Sequence, residues 1–287
     1  MRSVLHPRFV VCVGVLVFSV RAGAQELQFK HQSETKHFIV KSNISRTLCI
    51  KAGTTLERFS VVMRKFFKMT PDPKRPKTPV IIFETQKELM DYMAKHGFPV
   101  PKVAQQCTGR LLQFGGRPWE VVACDTGQGE SQIMTILLHE TTHLFAGLTI
   151  DAKFNLRVWA SEGLATYFEP SQWRGARLVT GVVDGSRLLV VQAALRDDKF
   201  IPLADLLARE RANFDQLCYC EAWSFVHFLM GYKNGIYRKR LGSYLEMIRD
   251  QKTHDEAFKA AFGDNIGKLE RAWKLYIKSL NVPSGRR

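Results

Sequence analysis

The chain has 287 residues, 45% of them hydrophobic and 24% charged, with a formal charge of +15 and six cysteines. These fractions belong to an ordinary globular protein and exclude disordered, collagen-like and coiled-coil classes. The length suits one large domain or two small ones, each able to bury a core.

Arg2 and Arg8 flank a basic start, residues 9–20 form an apolar run, and Ala22-Gly23-Ala24 follows. This is the pattern of a secretory signal peptide over residues 1–24, with cleavage expected after Ala24. The run is shorter than the ~20 residues that span a bilayer. No later stretch approaches that length, so the mature chain is expected to be exported, periplasmic or secreted, with no stable membrane span. Removing the leader takes three arginines, no acids and Cys12, leaving 39 basic against 27 acidic residues, a charge of +12. Five cysteines remain: Cys49, Cys107, Cys124, Cys218 and Cys220. Export permits disulfides, but an odd count leaves at least one thiol unbridged within the chain. Cys107 and Cys124 bracket a hairpin and are the favoured pair. Lys74, Arg75, Lys77, Arg238, Lys239 and Arg240 are scattered rather than gathered into a nucleic-acid module. The charge therefore reads as a solvated surface, and no nucleic-acid partner is expected.

Along the mature chain, 37–41 reads as a strand rich in β-formers. Leu56, Phe59, Val62, Met63, Phe66 and Phe67 recur at helical spacing and define an amphipathic helix ended by Pro71 and Pro73. A second strand is expected at 79–83 and a second helix at 85–95. Strands at 108–114 and 119–124 are joined across Gly115-Gly116-Arg117-Pro118, a hairpin signal. Beyond residue 130 the pattern is helical, with helices expected near 131–147, 159–169, 187–197, 203–210, 217–231, 235–250, 254–262 and 266–280. The predicted class is α+β: a small mixed sheet with helices over 25–150, then a mostly helical part over 151–287.

The chemistry is concentrated in Leu137-Leu138-His139-Glu140-Thr141-Thr142-His143-Leu144-Phe145. On a helix, His139 and His143 lie one turn apart on one face, so both imidazoles can reach one metal ion. Glu140 projects beside them, placed to take a proton from water. The apolar neighbours bury this helix, where two histidines and a glutamate are costly unless satisfied. A catalytic zinc needs a third protein ligand. The next apolar helix, Trp159-Ala160-Ser161-Glu162-Gly163-Leu164-Ala165, offers Glu162, with eighteen residues between it and His143. Glu169 is the rival candidate, but it stands at the helix end before Pro170, where a solvated carboxylate is expected.

The His-Glu-x-x-His pair with this gap to Glu-Gly-Leu-Ala resembles the gluzincin metallopeptidases. Among them it is most similar to the peptidase MA-like domains of exported bacterial proteins. The gap also resembles that of the aminopeptidase N class, whose third-ligand helix carries Asn-Glu-Gly-Phe-Ala. The resemblance implies a zincin-like fold and one catalytic Zn2+ held by His139, His143 and Glu162, with Glu140 as general base. Gluzincins commonly steady the oxyanion with a tyrosine at the head of a later helix, and Tyr219 opens such a helix. His227, two turns on among apolar residues, reads as a satisfied core histidine. The amine-gripping Gly-x-Met-Glu-Asn strand of the aminopeptidases is missing; Glu120 stands in the comparable region, but nothing requires that role of it. Strand 119–124 could take an extended peptide along its edge, with Trp119 in the core or at the rim. Each ligating imidazole also wants an acceptor for its other N–H, and Thr166, one turn after Glu162, offers only a hydroxyl. The expected function is an exported zinc metallopeptidase acting on peptides or proteins as an endopeptidase. The alternative is a non-catalytic envelope or binding protein that keeps the zinc site.

Overall fold

The computed structural model describes residues 28–282 except 71, 101–106, 151–155 and 176. The expected leader lies outside the described residues. The chain forms two compact units, one from residues up to Lys65 together with Thr70–Leu144, the other from Phe66–Met69 and Phe145 onward. Among the described residues no helix is long and apolar enough to cross a membrane.

The first unit holds a five-stranded mixed sheet: β1 (His31–Glu34), β2 (Phe38–Ser42), β3 (Thr78–Phe83), β4 (Gly109–Leu112) and β5 (Glu120–Cys124). The order is β1-β2-β3-β5-β4, with β2, β3 and β5 parallel and the two outer strands antiparallel to their neighbours. The parallel pairs need crossovers, supplied by α1 (Arg46–Phe66) after β2 and α2 (Gln86–Lys95) after β3. Each helix begins where a hydroxyl takes up an otherwise unsatisfied amide: Ser45 Oγ accepts from Leu48 N–H at 3.1 Å, and Thr85 Oγ1 from Glu88 N–H at 3.2 Å. α1 starts ten residues before its expected apolar stripe because Ser45 sets its beginning. β1 was not foreseen, since His-Gln-Ser-Glu carries no apolar alternation.

Two expectations about this unit are corrected. Strand β5 is not an edge: it lies between β3 and β4, and all five of its residues are buried. No disulfide joins Cys107 to Cys124; all five described cysteines are buried thiols. The hairpin register sets Cys124 against Thr108, whose carbonyl accepts from Cys124 N–H at 2.9 Å, so Cys107 is one residue out of step. Its sulfur lies 3.8 Å from Met93 Sδ instead. Burial pushes the Cys124 thiol up to about 12, which leaves it unreactive.

Helix α3 (Glu130–Thr149) follows the sheet, and the unit boundary falls within it after Leu144. The second unit is helical: α4 (Val158–Phe168), α5 (Gly185–Arg196), α6 (Leu203–Ala208), α7 (Gln216–Gly231), α8 (Arg238–Arg249), α9 (His254–Phe262) and α10 (Ile266–Ser279). Its centre is α7, buried all round, with α4, α5, α6 and α10 against it. Trp159, Trp223 and Trp273 are fully buried there, and the Trp273 indole N–H donates to Ser224 Oγ at 3.1 Å. A short hairpin, β6 (Gln172–Arg174) and β7 (Arg177–Val179), was not foreseen, because three-residue strands rich in arginine leave no periodic signal. The α+β class and the helical C-terminal half stand as expected.

Candidate metal centre

On α3, His139, Glu140 and His143 are all buried, at 1%, 0% and 1% exposure. One helical turn separates the histidines, and their Nε2 atoms lie 3.1 Å apart. Two nitrogens bound to one tetrahedral zinc at 2.0–2.1 Å stand about 3.3 Å apart, so the pair has the spacing a shared ion requires. Beneath the helix runs β4, where Gly109 lies against Ile136 and Glu140: a Cβ at that position would stand 2.3 Å from Ile136 Cγ2. Only a residue without a side chain lets α3 come so close to the strand.

On α4, Glu162 is fully buried. The next residue, Gly163, makes the corresponding close approach in the second unit: a Cβ there would meet the Ala222 carbonyl oxygen at 2.7 Å. This contact seats α4 on α7. Thr166 turns its hydroxyl back into its own helix, donating to the Glu162 carbonyl at 2.6 Å. Arg211 Nη2 donates to Glu162 Oε1 at 2.9 Å.

The ligand atoms offered by His139, His143 and Glu162 all lie within 4.8 Å of one another. Two imidazoles and a carboxylate form the donor set of a catalytic zinc site of the His2Glu kind, and their burial suits a cation that compensates the carboxylate. Glu140 follows His139 directly on α3. Tyr219 sits in the first turn of α7, nearly buried, its ring edge-on to Phe214 with centroids 5.1 Å apart. The turn is fixed by Asp215, whose side chain accepts from Cys218 N–H at 3.0 Å.

The other sequence candidates lie elsewhere. Glu169 is not solvated: it is 8% exposed and pairs at 2.5 Å with Arg187, which also holds Asp184. Glu120 faces the interior of the first unit, accepting from the Tyr92 hydroxyl at 2.6 Å, and burial raises its pKa. His227 is a satisfied core histidine: Nε2 meets the Gly181 carbonyl at 3.1 Å and Nδ1 the Tyr276 hydroxyl at 2.9 Å. Burial lowers its pKa, which favours the neutral ring. Arg211, Gly109 and Gly163 went unremarked as site residues in the sequence. Arg211 had no signal to offer, being an ordinary arginine 49 positions from its partner.

A comparison with curated proteins found no match. A family profile described as the Peptidase MA superfamily matches residues 129–279, just over half of the chain. The matched segment opens at the start of α3 and runs through α4 and α7 to the end of α10, so it takes in both histidines, Glu162, Arg211 and Tyr219. By its sequence over this span and by the two histidines and the glutamate gathered in it, the chain belongs to the Peptidase MA superfamily.

Proposed function

We propose that the protein is an exported zinc metallopeptidase that hydrolyses internal peptide bonds. The observation that carries this reading is the buried group of His139, His143 and Glu162, with Glu140 beside the first histidine on the same helix. These three residues would hold the ion. Bound there, zinc supplies Lewis acidity, polarising the scissile carbonyl and making water a nucleophile near neutral pH.

The chain's own groups do the rest. The Glu140 carboxylate accepts the proton that water loses as it attacks, then returns it to the leaving nitrogen. The Tyr219 hydroxyl donates a hydrogen bond to the carbonyl oxygen as negative charge develops on it. A substrate chain that adds to the sheet requires a terminal strand, and beside α3 that strand is β4 rather than β5. An internal bond is favoured over a terminal one because Glu120, the available counterpart of an amine-gripping carboxylate, is buried against Tyr92. Kinship with the aminopeptidase N class rests on the ligand spacing and the Glu-Gly-x-Ala run at 162–165.

The test is metal analysis of the purified mature chain with digestion of a peptide library, using Glu140→Gln as control. Stoichiometric zinc, with hydrolysis that disappears in the variant, supports the reading. Zinc without hydrolysis of any peptide favours a non-catalytic zinc protein, and no bound metal overturns the ligand assignment. N-terminal sequencing of the exported chain tests cleavage after Ala24.

A further inference from the structure

We propose that Arg211 and the metal ion are competing counter-ions of the buried Glu162 carboxylate, so that Arg211 holds the site together without metal and keeps bound zinc exchangeable. The proposal rests on the reading of Glu162 as a ligand. Its starting point is the ion pair between Arg211 Nη2 and Glu162 Oε1 at 2.9 Å, in which the carboxylate is fully buried and the arginine side chain is 37% exposed.

The arginine is presented by a defined turn. Residues Arg211–Asn213 form one turn of 3-10 helix between α6 and α7. Asn213 N–H donates to the Glu210 carbonyl at 3.0 Å, and Phe214 N–H to that of Arg211 at 3.2 Å. Arg209 closes the loop from outside, its guanidinium donating to the Asn213 carbonyl at 3.1 Å. The same segment sets Phe214 against the Tyr219 ring. The contact with Glu162 is therefore made from a hydrogen-bonded scaffold.

A carboxylate taken fully out of water needs a compensating cation. Arg211 supplies one, and a zinc ion on the same carboxylate supplies another. Each lessens the need for the other, and the two cations repel, so their binding to Glu162 is negatively coupled. Arg211 is partly in water, which weakens that repulsion without removing it. A unit charge facing a divalent ion a few ångströms away under water-like screening corresponds to about tenfold in Kd.

The experiment compares wild type, Arg211→Gln, Arg211→Lys, Glu162→Gln and the Arg211→Gln/Glu162→Gln double variant. Zinc Kd is measured by chelator competition, and thermal unfolding is followed with EDTA and with zinc. Arg211→Gln is expected to bind zinc about tenfold more tightly and, in EDTA, to melt on the order of 5–10 °C lower than wild type. Zinc should recover most of that loss. Arg211→Lys should keep the wild-type Kd, and the double variant should regain stability in EDTA because the buried charge that Arg211 balances is gone. Equal or weaker zinc binding by Arg211→Gln, where wild-type binding depends on Glu162, overturns this inference and leaves the ligand assignment standing. Wild-type binding that is absent, or unchanged in Glu162→Gln, overturns both. If Arg211→Gln does not fold, the double variant is compared with Glu162→Gln: loss of the guanidinium should still tighten zinc binding, because the repulsion between the two cations is gone, and an unchanged Kd overturns the proposal.

Discussion

Gly109 on β4 lies against Glu140 on α3 so closely that a Cβ added to the glycine would stand 3.3 Å from Glu140 Cγ. The same added atom would overlap Ile136 Cγ2, at 2.3 Å, so the Ile136 side chain, the helix or the strand would have to shift. Gly109→Ala is accordingly expected to cost about 1–3 kcal/mol through overpacking. It should also reduce kcat by tenfold or more, because a displacement near 1 Å is enough to misplace a general base. Zinc content should fall as well, since the histidines move with their helix while Glu162 stands on α4. Urea unfolding, metal analysis and peptidase kinetics on one preparation check all three outcomes.

Gly163 plays the matching part for α4. The obstacle there is backbone, the Ala222 carbonyl oxygen at 2.7 Å from the added Cβ, so a rotamer change cannot relieve it. Gly163→Ala should separate α4 from α7, costing about 2–4 kcal/mol. Because Glu162 is the adjacent residue, zinc affinity should fall as well. A variant with normal stability and normal zinc affinity would show that the two helices have more freedom than this contact allows.

The contrast between these helices and the sheet explains what the sequence made legible. Helices α3 and α4 could be read directly, because long apolar runs surround the histidines and Glu162 at spacings that the helical repeat itself dictates. Local patterns carry that information. The position of β5 in the sheet does not, since which strand becomes terminal depends on where the chain returns after α2. The mispaired cysteines failed for a related reason: a hairpin signal locates the turn but leaves the register to be fixed by side-chain packing. Glu169 looked solvated because helix ends usually are. Its burial depends on Arg187, brought to it from the next helix, just as the state of Glu162 depends on a distant Arg211.

Glu221 on α7 gives the fold a pH dependence. Its Oε1 accepts from Ile201 N–H at 3.0 Å, the side chain is fully buried, and burial pushes its pKa from 4.5 up to about 8. The folded protein therefore holds this proton more tightly than the unfolded chain does. Its stabilising contribution is complete below about pH 4.5, declines as pH rises toward 8, and is gone above that, a change of at most about 5 kcal/mol. Glu221→Gln keeps an oxygen for Ile201 and removes the charge. The variant should be the more stable protein at pH 8.5, with a flatter stability profile between pH 5 and 8 in urea titrations. An unchanged slope would place the titration elsewhere.

Arg187 joins two carboxylates, Glu169 at the end of α4 and Asp184 at the start of α5, each at 2.5 Å. Asp184 also caps α5, accepting from Ser186 N–H at 2.9 Å. Burial would raise the Asp184 pKa, but Arg187 and these hydrogen bonds outweigh it and hold the carboxyl below its usual value. Replacing Arg187 by methionine keeps most of the apolar volume and leaves a nearly buried and a partly buried anion without their cation. The expected loss is about 3–5 kcal/mol near neutral pH. Because Asp184 ionises more readily in the fold than in the unfolded chain, its contribution is present above its unfolded pKa and disappears as pH falls through the folded value. The deficit of Arg187→Met should therefore shrink in acid, where the Asp184 carboxyl becomes neutral and needs no partner. Arg187→Lys should recover less than half of the neutral-pH loss, since one ammonium cannot offer the guanidinium's planar fork to two carboxylates at once. Denaturant unfolding of the three proteins at pH 4 and pH 7 separates this account from a packing effect, which would persist unchanged at both.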